Sequence, residues 1–309
     1  MVRVALVKGD DRYSNIQRAL SLIRRDINAK DIRGKRVLIK PNLVSDSKEL
    51  AVTHVDAVRA VLDFIHQFNP SEIVIAEAAA SGDTMEAYRR FGYTELENVK
   101  LVDVNRDQYE KITICTLNGE EKEVRISKTI LNTEYRISVA RAKTHDHVFC
   151  TLTLKNMMGS IPHLDHVWIH GAAEEPTSPI ERAIKGNYTL SKNLVRIAKK
   201  VKPNLGVVDG LIGMEGDGPV NGFLVKLGVA AASIDSVAVD AVMTSVMGFN
   251  PKRKGDIYLA DEAGLGISDL NMIEVIGEKI QDVRVKFKPH SNYYETQLWW
   301  MKYHPNYKW

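Results

Sequence analysis

Cysteine is scarce in this sequence of 309 residues, which contains only Cys115 and Cys150. Two thiols cannot form a disulfide framework, and within one chain they cannot supply the four ligands of a cysteine-bound zinc or iron–sulfur site. We therefore expect no iron–sulfur cluster within a single chain. The same scarcity favours a reduced, cytoplasmic setting.

Long hydrophobic runs are also missing. The most apolar internal stretch, residues 227–249, is interrupted by Asp235 and Asp240. The first ten residues already contain charged side chains, so the pattern predicts neither a signal peptide nor a membrane span.

The sequence has almost no excess of charge of either sign. The 42 basic and 39 acidic residues leave a net charge of +3, which is too small and too evenly spread to predict nucleic-acid binding. With 44% hydrophobic and 26% charged residues, the composition is typical of a soluble globular protein.

Short β-branched runs alternate with amphipathic stretches along most of the chain. This alternation predicts an α/β fold with a mainly parallel sheet and helices on both faces. The predicted strands are 2–7, 37–39, 73–76, 101–104, 135–140, 205–208 and 225–231. The predicted helices are 16–27, 54–68, 84–91, 190–201 and 236–247.

Two segments depart from this alternation. Two runs flank Asn118-Gly119, which predicts an antiparallel β-hairpin inserted at about residues 107–130. After an α/β body spanning 1–290, the tail 291–309 is rich in aromatic residues: Tyr293, Tyr294, Trp299, Trp300, Tyr303, Tyr307 and Trp309. We expect this tail to dock on its own or a twin subunit, giving a homo-oligomer; a ligand lid or an external partner site is the alternative.

Polar residues follow five of the predicted strands. Ligands in open α/β sheets bind beyond the carboxyl ends of the strands, so these positions are the first candidates for a site. They are Lys40 and Asn42, Glu77, Asp103 and Asn105, Lys143, Thr144 and His145, and Asp209. Each one alone could equally cap a helix or face solvent.

Histidines cluster between residues 145 and 170. His163, His166 and His170 are spaced i, i+3, i+7, so on one helix their rings would share a face that could bind zinc, nickel or ferrous iron. A surface or interface helix is the alternative interpretation.

Lys155 ends an apolar run and is followed by Asn156. A lysine at that position loses solvation, which lowers its pKa towards use as a base, a nucleophile or an anion clamp. A lysine whose charged end reaches back to solvent would show the same spacing.

A glycine-rich segment, 209–219, contains Glu215, Gly216, Asp217 and Gly218. Carboxylates in such a loop suit a divalent metal or acid–base work, and its backbone amides could bind an anion. The segment matches neither a Walker nor a Rossmann pattern, and a plain tight loop is the alternative.

Taken together, these stretches resemble the domain-of-unknown-function family 362 (DUF362). The resemblance rests on VLIKPNL at 37–43, Lys143-Thr144-His145, TLKNMMG at 153–159, the segment 209–219, and Asp235 with Asp240. Members of that family often carry or neighbour ferredoxin-like 4Fe-4S modules. This chain departs from that pattern, since with two cysteines it resembles a stand-alone member. A redox role would then need a partner protein or a site shared between subunits.

The resemblance marks Lys40, Asn42, Lys143, His145, Lys155, Asn156, Glu215 and Asp217 as a site without assigning roles. Three lysines facing carboxylates and a histidine suit a small anionic substrate, a carboxylate or phosphate ester. The predicted catalytic residues are Lys155, His145, Glu215 and Asp217; the predicted substrate-binding residues are Lys40, Asn42, Lys143, Thr144, Asn156, Gly216 and Gly218; the predicted metal ligands are His163, His166 and His170.

An enzyme is thus the leading hypothesis. The alternatives are an accessory protein for a ferredoxin-like or other redox partner, and a metal-delivery protein.

Overall fold

The computed structural model describes residues 1–171 and 178–305. Its strands are β1 (Val2–Lys8), β2 (Arg36–Lys40), β3 (Glu72–Glu77), β4 (Lys100–Asp103), β5 (Tyr109–Cys115), β6 (Glu121–Ser127), β7 (Tyr135–Thr144), β8 (Cys150–Thr151), β9 (Leu205–Glu215), β10 (Phe223–Ser233) and β11 (Ile273–Gly277). Its helices are α1 (Arg12–Leu22), α2 (Val55–His66), α3 (Thr84–Arg90), α4 (Lys128–Leu131), α5 (Thr153–Asn156), α6 (His166–Ile169), α7 (Pro179–Val201), α8 (Ser236–Val246), α9 (Gly255–Glu262) and α10 (Ile280–Val283).

One nine-stranded sheet organises the fold, in the order β11-β1-β10-β9-β7-β2-β3-β4, with β8 paired to β7. Neighbouring strands from β9 to β4 run parallel, whereas β10 runs antiparallel to both β1 and β9. The prediction of a mainly parallel sheet is confirmed. The hairpin insert is confirmed as well, because β5 and β6 form a separate two-stranded antiparallel sheet.

Successive residues of the central strands pack on opposite faces of the sheet. In β1, Ala5 and Val7 belong to one buried cluster, together with residues of α1 and α2. Val4 and Leu6 belong to another, together with residues of α8. Because alternate side chains point to opposite faces, both faces of the sheet are apolar. Helices therefore pack on both faces and cover them.

Helix α7 is longer than the sequence pattern predicted. It begins at Pro179, with Ser178 as its N-cap, and runs for 23 residues, whereas the prediction covered only 190–201. The early turns contain Lys185, Gly186 and Asn187, which interrupt the apolar periodicity. Tertiary burial overrides that local pattern, since Gly186 and Asn187 are themselves buried.

The described part of the aromatic tail packs on the body of the same chain. Trp300 is 1% exposed, stacks on Tyr188 of α7 with ring centroids 6.1 Å apart, and donates a hydrogen bond from Nε1 to the carbonyl oxygen of Arg253. Tyr294 and Trp299 stay exposed. Tyr307 and Trp309 lie outside the described residues, and self-association through the tail stays a prediction.

Candidate functional site

A cleft of about 650 Å³ opens where β7, β2 and β3 end. These strands are parallel neighbours, so their carboxyl ends meet at one edge of the sheet, where ligands bind in such folds. Eight predicted site residues line the cleft: Asn42, Lys143, His145, Lys155, Asn156, His163, His166 and His170.

Lys40 and Glu77 form a buried ion pair at the base of the cleft. Nζ of Lys40 contacts the Glu77 carboxylate and donates to the carbonyl oxygen of Pro41 at 2.8 Å. Burial lowers the pKa of Lys40, and the charge of Glu77 opposes that shift. The pair is close to neutral as a unit, so Lys40 contributes position more than free charge.

Among the described residues, the side-chain nitrogen of Lys143 donates hydrogen bonds to uncharged oxygen atoms only. Its Nζ donates to Oδ1 of Asn42 at 2.8 Å and to the carbonyl oxygens of Ala51 at 2.6 Å and Pro219 at 3.3 Å. Burial, followed by repulsion from Lys155, holds the pKa of Lys143 well below its ordinary value. Three oxygen acceptors from three different segments surround this Nζ, so Lys143 here orders the surrounding loops.

Asn42 and Asn156 continue this network along the cleft. Nδ2 of Asn42 donates to Oδ1 of Asn156 at 3.1 Å. Nδ2 of Asn156 donates to the carbonyl oxygen of Lys40 at 2.9 Å and to Oγ of Ser138 at 3.0 Å. The predicted binding residues of three chain segments are therefore joined in one hydrogen-bonded wall.

Lys155 differs from the other two lysines. It is 8% exposed and lines the cleft, and its Nζ donates to Sδ of Met158 at 3.1 Å, a weak acceptor. Burial lowers the pKa of Lys155 to about 8. A lysine with that pKa exchanges a proton near neutral pH.

The loop after β7 brings His145, Asp146 and His147 together. Oδ1 of Asp146 lies 2.9 Å from Nδ1 of His145 and 3.0 Å from Nδ1 of His147. Burial lowers the pKa of His145 to about 3, so its ring is neutral at neutral pH. Burial favours a raised pKa for Asp146, but the two neighbouring rings outweigh it and hold that pKa below its ordinary value.

The predicted metal set does not converge within the described structure. His163 lies in a 3₁₀ turn and His166 begins the short α6, so no single helix carries all three rings. The rings of His163 and His166 are 5.4 Å apart, whereas the ring of His170 packs 5.1 Å from that of His147. Nε2 of His166 also pairs with the carbonyl oxygen of Ile161 at 2.8 Å.

The glycine-rich segment lies outside the cleft lining except for Pro219. Glu215 and Asp217 accept hydrogen bonds from the backbone N–H groups of Lys288 at 2.8 Å and Ser291 at 3.0 Å. They tie down the segment that leads into the tail, and the structure does not bring them to Lys155.

Thr144, Gly216 and Gly218 hold β7 against this segment. Oγ1 of Thr144 donates to the carbonyl oxygen of Gly216 at 2.8 Å. A Cβ at Gly218 would lie 2.2 Å from the carbonyl oxygen of Thr144. These three predicted binding residues thus maintain the backbone behind the cleft and do not line it.

Sequence reasoning did not select several residues of the cleft. Glu77 was one of the polar strand ends but was not chosen as a site residue, and Asp146 and His147 directly follow the chosen His145. The sequence His145-Asp146-His147, with two imidazoles flanking a carboxylate, is the pattern that could have indicated these residues. Gly159 has no comparable sequence pattern, because its role depends on a contact with the distant Glu77. A Cβ at Gly159 would lie 1.8 Å from Oε1 of Glu77.

More than half of the chain matches a known protein family. Residues 37–245 match the family described as "Domain of unknown function (DUF362)". The chain belongs to the DUF362 family. The matched DUF362 region contains every cleft residue named above.

Two further similarities accompany this DUF362 membership. The chain is 26% identical over 234 residues to the thylakoid-associated protein sll1697 of Synechocystis sp., covering 75% of this chain and 69% of that protein. Its fold is similar to that of the lactate racemase apoprotein from Thermoanaerobacterium thermosaccharolyticum, with a TM-score of 0.52 and 16% identity over 78% of this chain. The chain spans 56% of the racemase chain, and at this identity the likeness concerns the fold alone.

Proposed function

We propose that this DUF362 protein is an enzyme that binds a small anion, bearing a carboxylate or phosphate group, and moves a proton with Lys155. The observation that carries the proposal is the environment of the Lys155 amine. It lines the cleft, is nearly buried, and has a thioether as its hydrogen-bonding neighbour. A charged group left without a strong partner costs stability, so such an arrangement points to a functional role.

The charges around the cleft support an anionic ligand. Lys40 and Glu77 offset each other, and the donors of Lys143 are directed to neutral oxygens. Among the cleft lysines that the structure describes, protonated Lys155 is therefore the one whose donors lack a strong acceptor. A carboxylate or phosphate oxygen is the strong acceptor that an ammonium group in a low-dielectric cleft requires.

Proton transfer by Lys155 follows from the same geometry. In the protonated form the ammonium group binds the anion or donates a proton to it, and the neutral amine accepts one. A pKa of about 8 keeps both forms populated near neutrality, which is the condition for efficient general acid–base catalysis. Glu215 and Asp217 have no place in this step, since they lie outside the cleft lining.

Direct titration tests the proposal, with inorganic phosphate, acetate and lactate as probes. Lactate is included because it is a small carboxylate and gives its name to the racemase of similar fold. We expect calorimetry to detect binding of at least one probe. Lys155→Met should weaken that binding roughly 10-fold or more, a loss of about 1.4 kcal/mol, whereas Lys30→Met, at an exposed position, should not.

The proton-transfer step has its own measurement. For any organic probe that binds, exchange of its carbon-bound hydrogens with deuterated water is followed by NMR. Exchange that depends on Lys155 supports catalysis. Binding of no probe, or equal binding and exchange in the Lys155→Met variant, would overturn the proposal.

The proposal also covers the cellular location of the protein and its binding partners. Within the described residues, no helix combines the length and apolar character needed to cross a bilayer. We propose a cytoplasmic setting, consistent with two free, buried cysteines. A redox partner and a homo-oligomer remain hypotheses, and the exposed rings of Tyr294 and Trp299 are the surface on which either would be sought.

A further inference from the structure

We propose that His145, Asp146 and His147 form a binding site for one divalent transition-metal ion at the rim of the cleft. Among residues 1–171 and 178–305, this is the one group of three potential metal ligands whose donor atoms all lie within 4.8 Å of one another. The group differs from the histidine set that the sequence spacing suggested. It deepens the proposed function, because it places an ion in the cleft that Lys155 lines.

The hydrogen bonding of the group is incomplete without a cation. Nδ1 of His147 is buried and forms no hydrogen bond of normal geometry within the described chain, although Oδ1 of Asp146 is 3.0 Å away. Buried side-chain nitrogens are usually satisfied, so an exception requires a physical reason. A metal ion bound by the lone pair of this nitrogen would satisfy it.

His145 presents a second conflict. Its Nδ1 lies 3.0 Å from the backbone nitrogen of His147, which donates to it, and 2.9 Å from Oδ1 of Asp146. If Nδ1 accepts the backbone N–H, its lone pair faces a carboxylate oxygen with no proton between them. If Nδ1 carries a proton, the backbone N–H loses its acceptor. A cation bound by Nδ1 and Oδ1 would remove this repulsion, and the backbone N–H of His147 would then turn away from Nδ1.

The donor chemistry selects the class of ion. Two imidazole nitrogens and one carboxylate oxygen suit zinc and neighbouring first-row ions, whereas magnesium and calcium prefer all-oxygen sites. Three protein ligands at a cleft leave coordination positions open, as in catalytic metal sites. With Nδ1 of His145 assigned to the ion, proton transfer in the proposed function falls to Lys155 alone.

The surrounding structure fixes the loop from outside. Nδ2 of Asn292 donates to the carbonyl oxygen of Asp146 at 2.8 Å, and the ring of His170 packs against those of His145 and His147. Groups that orient metal ligands in this way are a regular part of metal sites. The ligands therefore start close to their binding positions, which lowers the entropy cost of binding.

Zinc titration of the full chain, freed of metal by chelation, tests the site. We expect one Zn²⁺ per chain by calorimetry, and Co²⁺ in its place should give a visible absorption spectrum typical of nitrogen and oxygen ligands. Asp146→Asn and His147→Ala should each weaken binding roughly 10-fold or more. His163→Ala is the matched control, because it removes a histidine of the same cleft from outside the group, and it should bind Zn²⁺ like the original chain.

Two results would overturn the proposal. One is the absence of stoichiometric Zn²⁺ binding by the folded protein. The other is binding that survives in Asp146→Asn and His147→Ala but is lost in His163→Ala, which would move the ion to the histidines after residue 160. Circular dichroism of each variant shows whether it is folded, and His147→Gln replaces His147→Ala if the latter is not.

Failure of this site is distinguishable from failure of the proposed function. Lys155→Met should bind Zn²⁺ at least as well as the original chain, since it removes a nearby positive charge. Loss of Zn²⁺ binding with intact binding of the anion probes would refute the metal site alone. Intact Zn²⁺ binding with no Lys155-dependent anion binding would refute the proposed function alone.

Discussion

The side-chain amide of Gln297 holds the loop that begins at His145. Its Nε2 donates to the carbonyl oxygen of His145 at 2.8 Å, and its Oε1 accepts a hydrogen bond from the backbone N–H of Phe149 at 2.6 Å. Gln297 is fully buried although it lies 152 positions along the chain from His145. The tail is thus a structural support of the candidate metal loop.

Replacing Gln297 should damage both stability and the loop. Gln297→Leu keeps the volume but leaves the carbonyl of His145 and the N–H of Phe149 without partners. We expect the free energy of unfolding to fall by about 2 kcal/mol or more in chemical denaturation, and Zn²⁺ affinity to fall with it. Gln281→Leu, at an exposed position in α10, is the control. Unchanged stability and affinity in Gln297→Leu would show that the amide does not fix the loop.

Two buried lysines should respond in opposite directions to the same substitution. Lys155 has a thioether neighbour and a pKa lowered to about 8 from 10.5, so at pH 7 its charge costs about 3 kcal/mol at 1.36 kcal/mol per unit. Lys155→Met should therefore raise the free energy of unfolding at pH 7 by up to that amount.

Lys254 is the matched case, fully buried with its Nζ 2.6 Å from Oδ2 of Asp256. Lys254→Met leaves that carboxylate buried and unpaired, which should lower the free energy of unfolding by about 3–5 kcal/mol. Urea denaturation of both variants measures the contrast. Equal destabilisation by the two substitutions would contradict the assignment of Lys155 as an unpaired charge.

The stability contribution of Lys155 should depend on pH with a defined sign. The unfolded chain keeps the lysine proton up to about pH 10.5, whereas the folded chain releases it at about pH 8. Between these values the unfolded state binds more protons, so the free energy of unfolding rises with pH in this window. The Lys155→Met variant should lack this rise, as measured by denaturation across the window.

Anion binding should show the opposite trend. Protonated Lys155 attracts the anion, so affinity for phosphate or acetate should fall as pH rises through about 8. The charges of Asp146, Asp256 and Glu77 raise the pKa of Lys155, and that of Lys254 lowers it. Calorimetry at several pH values measures the trend, and a pH-independent affinity would exclude Lys155 from the anion site.

Gly159 should not tolerate a methyl group. A Cβ there would lie 1.8 Å from Oε1 of Glu77 and 2.6 Å from Nζ of Lys40. The Glu77 carboxylate cannot swing away cheaply, because it also accepts a hydrogen bond from the N–H of Ala78 at 2.8 Å. Gly159→Ala should lower the free energy of unfolding by about 2 kcal/mol or more.

Gly186→Ala is the comparison for that substitution. Gly186 lies inside α7, and a Cβ there meets its nearest atom, the carbonyl oxygen of His170, at 3.4 Å. Alanine in a helix interior is favoured by about 0.5–1 kcal/mol over glycine, so this variant should be as stable as the original chain or more so. Thermal denaturation of the two variants side by side is decisive, and equal stability would remove the steric role assigned to Gly159.

The sequence determined the layered α/β architecture, the hairpin and the edge of the sheet at which the cleft lies. These follow from periodicity and from the turn residues Asn118 and Gly119, which act over a few neighbouring positions. Lys40 and Lys143 could be selected because they follow predicted strands, and Lys155 because it ends an apolar run. Both patterns are visible in the sequence alone.

Only the tertiary structure decided what those residues do. The partners of Lys143 and Lys155 come from distant segments or from the local turn geometry, so their pKa values depend on packing that spacing cannot encode. The same holds for Glu215 and Asp217, which the fold directs to Lys288 and Ser291, away from the cleft. It also holds for Gln297, whose burial beside His145 arises from the return of the chain's end to the sheet edge, a long-range contact without a local signature.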